Sequence, residues 1–220
     1  PTRRSSDLVD KPILLGSPEL HNYPVIYLTT LQPIYSKPLA TRNFSTYLQN
    51  GGFAILDNAH PWADSTEATK SVLALTREAL GDTFDFREIP HDHPVYRIFY
   101  ELRERPPEGA ANWSTPVRSE TAATIEESRI IAVPELDRII RRGSDTLWGY
   151  WLGDRLAAVY CDQGYGHFWR EGRHGDVTRE ARSAVKPPPV TRMGINLLVY
   201  GLLQQGGITE KRVDYRSRSQ

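Results

Sequence analysis

An α/β domain on a mainly parallel sheet, with one antiparallel hairpin, is predicted by three features of the sequence. The β-branched and aromatic run Tyr23-Pro24-Val25-Ile26-Tyr27-Leu28-Thr29-Thr30 is followed by a helical pattern and then by Phe53-Ala54-Ile55-Leu56 behind Gly51-Gly52. Strand, helix and strand within about thirty residues form a crossover unit, which joins parallel strands. A second helical pattern leads from that apolar run to another strand, Phe84 to Ile89. Finally, Leu147 to Leu152 and Arg155 to Cys161 flank Gly153-Asp154, a dipeptide suited to a two-residue hairpin turn.

Each element has a local cause. Lys11 to Leu20 is short and punctuated by prolines, and Val25 to Thr29 is the first strand. Ser36-Lys37-Pro38 starts a helix in which Ala40, Phe44, Tyr47 and Leu48 share one face, and Gly51 ends it. The stretch Asn50 to Asn58 is a buried strand that delivers Asp57 to a rim. Asp64-Ser65-Thr66-Glu67 has capping-box spacing, and Ala68, Val72, Leu75 and Ala79 line a helix face up to Gly81. Arg103 to Thr124 is rich in Pro, Glu, Ser, Thr and Ala and reads as a surface excursion or lid. Ile125 to Val133 fits helix or strand, and Pro134 to Ile140 is a short helix with proline in its first turn. Gln163 to Pro189 is a polar loop carrying Tyr165, His167, Phe168 and Trp169, and Val190 to Gln204 is a helix apolar nearly all round. The expected organisation is a flexible N-terminal remnant over 1–19, one α/β domain over 20–205 with long loops at 103–124 and 162–189, and a flexible tail over 206–220.

Composition narrows the function classes. The 220 residues carry 27 basic and 27 acidic side chains, a net charge of zero, so the bulk electrostatic footprint of a nucleic-acid or anionic-membrane binder is missing. Arg138, Arg141 and Arg142 read as a solvated helix face. The lone Cys161 excludes an intramolecular disulfide and a multi-cysteine zinc site. No run approaches the roughly eighteen apolar residues of a membrane span, and Pro-Thr-Arg-Arg-Ser-Ser-Asp is not a signal peptide. Because the chain starts without methionine, it is expected to be a processed or trimmed product.

The chemistry gathers at strand exits. Ligands of open α/β sheets bind beyond the carboxyl ends of the parallel strands, where Asp57, Asn58 and the loop containing His60 stand. Asp57 is read either as a ligand-contacting or catalytic carboxylate, or as a cap binding the amides of a following turn. His91 and His93 project to one side if extended, and Pro94 favours that conformation for His93. With Asp57 or Asp162 they would make a two-histidine, one-carboxylate set suited to zinc or iron; the same spacing also fits a turn whose imidazoles bond to backbone, and no metal or other cofactor is assigned. Cys161 with His167 or His93 as base is a possible thiol site, but a lone cysteine ending an apolar strand reads as a small buried hydrophobe. Among the tryptophans, Trp148 and Trp151 read as packing, whereas Trp169 stands in a polar loop suited to ligand stacking. The candidate catalytic pair is Asp57 and His93, with Asn58, His91, Asp162 and Trp169 as ligand contacts.

Five ordered blocks carry a family resemblance: Tyr23 to Thr29; Tyr47-Leu48-Gln49-Asn50-Gly51-Gly52-Phe53 through Asp57-Asn58; His91 to Tyr100; Gly153 to Tyr160; and Arg192 to Tyr200. Together they resemble the bacterial domain-of-unknown-function family numbered four-one-five-nine. The resemblance implies a flavodoxin-like, class I glutamine amidotransferase-like three-layer sandwich, in proteins often exported or attached to membrane-anchored chains, hence an extracytoplasmic setting. Family members usually have a strand and helix ahead of the first residue here, and the stretch Pro106 to Gly143 is longer than the family norm. Amidotransferase-like enzymes keep a cysteine nucleophile on a sharp strand-to-helix turn; Asp57 stands at the equivalent place, with no Gly-x-Cys-x-Gly or Gly-x-Ser-x-Gly elbow. Three readings follow: a non-catalytic domain binding a small molecule or protein partner; a hydrolase using Asp57 with His91 or His93, with or without a metal ion; and an assembly domain whose sheet edge pairs with another chain, a second copy of itself included.

Overall fold

The computed structural model describes residues 12–59, 61, 67–102, 106–109, 133–142, 146–171 and 187–210. Its core is one five-stranded sheet formed by β1 (Val25–Leu28), β2 (Phe53–Asp57), β3 (Asp85–Glu88), β4 (Trp148–Leu152) and β5 (Arg155–Cys161), in the spatial order β1-β2-β5-β4-β3. The pairs β1–β2 and β2–β5 are parallel, and β5–β4 and β4–β3 are antiparallel. Because β2 has parallel neighbours on both sides, all five of its residues are buried, and its apolar run needs no alternation.

Helices cover both faces. On one lie α1 (Pro38–Gln49), α2 (Glu67–Leu80) and α3 (Pro134–Arg142), whose Phe44, Leu48, Val72, Leu73 and Ile139 meet Ala54, Leu56, Phe86, Tyr150 and Ala158 of the sheet. On the other lie α4 (Gly166–Glu171) and α5 (Pro189–Leu203), where Met193, Leu197 and Tyr200 meet Phe53, Ile55, Leu156 and Val159. Strand alternation divides the sheet between these two cores. No described helix is long and apolar enough to cross a membrane.

Glycine sets the corner before β2. Gly51 takes φ +103° to end α1, and Gly52 lies flat against the Tyr47 ring, where any Cβ would fall inside the aromatic atoms. The Tyr47 hydroxyl accepts from the Phe53 amide (3.2 Å) and donates to the Phe53 carbonyl (3.1 Å). Arg155 donates to the carbonyls of Leu48 and Gly52, tying β5 to the end of α1.

The second strand–helix–strand unit joins strands that run the same way, but β3 sits at the far edge of the sheet, because the β4–β5 hairpin fills the space between and its second strand pairs with β2. The expected loop from 162 to 189 contains the short helix α4. At the chain ends, residues 12–19 are tied down by Asn43, which donates to the carbonyls of Leu15 (2.6 Å) and Ser17 (2.9 Å), and Ile208 is buried with its amide on the Gly51 carbonyl (3.1 Å). The capping-box residues 64–66, His60, most of the 103–124 excursion, residues 125–132 and the tail beyond 210 lie outside the described residues.

Overpacking a filled core costs about 1–3 kcal/mol. Gly52→Ala is therefore expected to lose about 2 kcal/mol in urea unfolding. Gly81→Asn is the control: Gly81 has φ +61° with nothing near its Cβ position, and asparagine tolerates that conformation, so the midpoint should barely move.

Candidate functional site

The carboxyl ends of β1, β2 and β5 meet at one edge of the sheet, and alternation splits their polar residues between its two faces. Asp57 follows Phe53 and Ile55 onto the α4–α5 face. Its carboxylate accepts the Tyr27 hydroxyl (2.7 Å) and the Gly166 amide (2.7 Å) on Oδ2 and the Tyr165 amide (3.0 Å) on Oδ1, and Cys161 stands opposite it on β5. Tyr165 and Gly166 form the start of α4, so Asp57 caps that helix from a neighbouring strand. The parallel register that sets Asp57 opposite Cys161 brings the thiol alongside, and the one that sets Tyr27 opposite Ile55 brings the tyrosine within reach. A Cβ on Gly166 would overlap the Tyr27 hydroxyl, so glycine is what lets the phenol and the carboxylate reach this backbone.

Burial dominates the protonation of this group. Asp57 is 3% exposed; desolvation raises its pKa, while the Gly166 amide, the Tyr27 hydroxyl, the Tyr165 amide and the Cys161 thiol favour the ionised form. Burial and then the Asp57 charge raise the Cys161 thiol well above the usual range, opposite to the direction a nucleophile needs. Burial and Asp57 likewise raise the Tyr27 phenol.

The second cluster lies on the opposite face. The Asn58 amide donates to Asp162 Oδ1 (2.8 Å), which also accepts the Tyr160 hydroxyl (2.8 Å), and Thr69 of α2 donates to Asn58 Oδ1 (3.0 Å). Asp162 is partly exposed, and its Oδ2 takes no hydrogen bond from the described residues. Burial raises its pKa, and the bonds from Tyr160 and Asn58 oppose that shift. Nearby, Gln163 accepts from the Gly109 amide (3.0 Å), the Tyr165 hydroxyl donates to Pro107 (2.7 Å), and His167 bonds to the Ala59 carbonyl (2.9 Å).

His91 and His93 stand elsewhere. His93 Nδ1 accepts the Val95 amide (3.3 Å), capping a short 3-10 turn, and its ring packs 5.3 Å from Trp151 and 5.1 Å from Tyr200. Tyr200 in turn touches Phe53, at the far end of β2 and about 13 Å of strand from Asp57. Burial lowers the His93 pKa to about 4. His91 is exposed and stacks on Tyr96 at 5.5 Å. The two-histidine, one-carboxylate set is therefore not assembled: Pro94 does hold His93 extended, but the imidazole turns back to its own following turn. Among the described residues no group of three or more His, Cys, Asp or Glu is placed to hold a metal ion. Trp169 donates to the Val190 carbonyl (3.2 Å) and packs over Gly194 between α4 and α5.

Of the six candidate site residues, Asn58 and Asp162 meet directly, Asp57 is adjacent in the chain but faces away, Trp169 packs beside the Asp57 cluster with its ring 5.5 Å from that of Tyr27 and 6.0 Å from that of Tyr165, and His91 and His93 join neither cluster. Sequence reading missed Tyr27, Tyr165, Gly166, Thr69 and Tyr160. The one local signal was Gly164-Tyr165-Gly166, two glycines where a Cβ would strike the Pro61 ring and the Tyr27 hydroxyl. Cys161 was judged by its antiparallel hairpin partner; the parallel pairing of β5 with β2 is what carries it to Asp57.

This sheet and its layers define a mixed α/β domain. Residues 7–202 match the family described as "Domain of unknown function (DUF4159)", and the chain belongs to that family. No curated protein matches the chain in a sequence search.

The shifts set a pH dependence. His93 is held neutral when folded, so stability present above its ordinary pKa of 6.5 drains as pH falls towards about 4. Asp57 and Asp162, raised above 3.8, act oppositely: the cost of burying their charge at neutral pH is relieved as they protonate. His93→Asn, which keeps a cap acceptor without titrating, is expected to flatten the loss between pH 6.5 and 4 in urea unfolding at stepped pH. Tyr27→Phe, which removes a donor to a buried carboxylate, is expected to cost about 2 kcal/mol at pH 7.

Proposed function

We propose that this chain is a non-catalytic, class I glutamine amidotransferase-like domain that binds a ligand or protein partner. The observation that carries the reading is the state of Asp57: at the position where the resemblance puts a nucleophile, the carboxylate is buried and engaged by two backbone amides and a phenol. A general base or nucleophile needs a lone pair aimed at substrate, and these are spent on holding α4. The flavodoxin-like part of the reading is supported by parallel β1, β2 and β5 with helices on both faces.

For a ligand, the available contact is Asp162. Its Oδ1 is fixed by Asn58 and Tyr160, and Oδ2 is left to accept from an N–H or O–H group at the carboxyl edge of the sheet. The hydrolase alternative, built on Asp57 with His91 or His93, has its acid and base on separate parts of the molecule.

The test has two arms. Thermal-shift screening of small amines and polyols is expected to yield a binder whose effect Asp162→Asn abolishes without lowering the melting temperature of the free protein; binding that ignores this substitution counts against the site. In parallel, ester, amide and phosphoester hydrolysis is expected to stay at background. Activity removed by Asp57→Asn in a folded protein would restore the hydrolase.

One observation favours the assembly reading. Among the described residues β1 pairs only with β2, and partly exposed Tyr27, Leu198 and Leu202 accompany it. Light scattering over a concentration series checks this, and a monomer throughout would remove it.

A further inference from the structure

The docking of α3 differs from that of its neighbours. Under α1 and α2 the buried hydroxyls are satisfied: Tyr47 bonds to Phe53, Thr69 to Asn58 and Thr76 to the Val72 carbonyl. Around α3, three buried polar atoms have no partner among the described residues: Oε2 of its own Glu135, the Tyr150 hydroxyl and the Trp148 indole nitrogen. They belong together. Glu135 acts electrostatically on Tyr150, and the Arg138 guanidinium lies 5.5 Å from the Trp148 ring and 5.5 Å from that of Phe86. Glu135 itself is 2% exposed, and its ion-pair partner among the described residues, Arg77 at 2.6 Å, is 45% exposed and well solvated without it.

Packing is also incomplete on this side. A cleft of about 370 Å³ opens between α3, the end of α2 and β3, lined by Arg77, Phe84, Phe86, Pro134, Glu135 and Arg138 among others. What holds α3 is the burial of Val133, Leu136 and Ile139, the Arg77 pair and the Arg138 bond to the Phe86 carbonyl. Every unpaired buried atom subtracts from that, because undocking returns it to water.

We propose that α3 is a releasable strap over the β3–β4 edge, opening as a local unit well before the domain unfolds. Release gives water to Glu135, Tyr150 and Trp148 and uncovers the stacked face of Phe86 and Trp148, whose rings lie 5.0 Å apart. The inference stands independently of what binds at Asp162.

Native-state hydrogen exchange of the full chain tests it. The amides of α3 are expected to exchange at least about 100-fold faster than those of α1. Fast exchange is common in short helices, so the sign of two substitutions decides. Glu135→Leu removes the unpartnered Oε2 together with the pair to half-exposed Arg77, and Tyr150→Phe removes the unpaired hydroxyl without changing shape. Each is expected to slow α3 exchange several-fold while leaving α1 unchanged; if Glu135→Leu does not fold, Tyr150→Phe alone decides. Protection of α3 equal to that of α1, or substitutions that speed its exchange or leave it unaltered, would overturn the strap.

Discussion

One buried carboxylate joins four pieces of chain. Asp57 ends β2, its phenolic donor comes from β1, its two amides from the start of α4, and Cys161 of β5 stands opposite it in the parallel register. Ionised, it is tolerable at 3% exposure only because those donors replace water. The dependence runs both ways. Without the carboxylate, the first amides of α4 and the Tyr27 hydroxyl lose their acceptor, and Trp169, which α4 carries onto Gly194 of α5, loses its platform.

The same edge shows how two adjacent polar residues come to do different work. Asp57 and Asn58 are consecutive, as are Cys161 and Asp162, and successive strand side chains point to opposite faces. Asp57 and Cys161 therefore share the α4–α5 side, and Asn58 and Asp162 share the α1–α2 side. One pair is closed by protein donors. The other keeps a carboxylate oxygen that no described residue uses, which is why a binding function attaches to it.

Much of the fold was legible because its signals are local. Gly51-Gly52, the 3.6-residue spacing of Phe44, Tyr47 and Leu48, the Gly153-Asp154 turn and the apolar length of Val190 to Gln204 each report on a few neighbours in the chain, and each element stands where expected. Pairing between distant strands leaves no such trace. The choice of β5 over β3 as the partner of β2 could not be seen, and with it went the place of Cys161 and the separation of His93 from Asp57. The possibility that Asp57 binds amides was visible in its position after a strand; the identity of those amides, 108 and 109 residues later, was not.

The corner at Gly52 has a consequence for accuracy of assembly. A strand buried on both faces has little in its own apolar pattern to prevent slippage, since Phe53, Ala54, Ile55 and Leu56 are all greasy and β2 would bury well in either phase. The Tyr47 hydroxyl reads both polar groups of one residue, Phe53, while its ring admits only a residue without a side chain just before it. Helix α1 thus works as a gauge, accepting one phase of β2 and rejecting the next, and a slip of a single residue would have sent the carboxylate of Asp57 to the wrong side of the sheet.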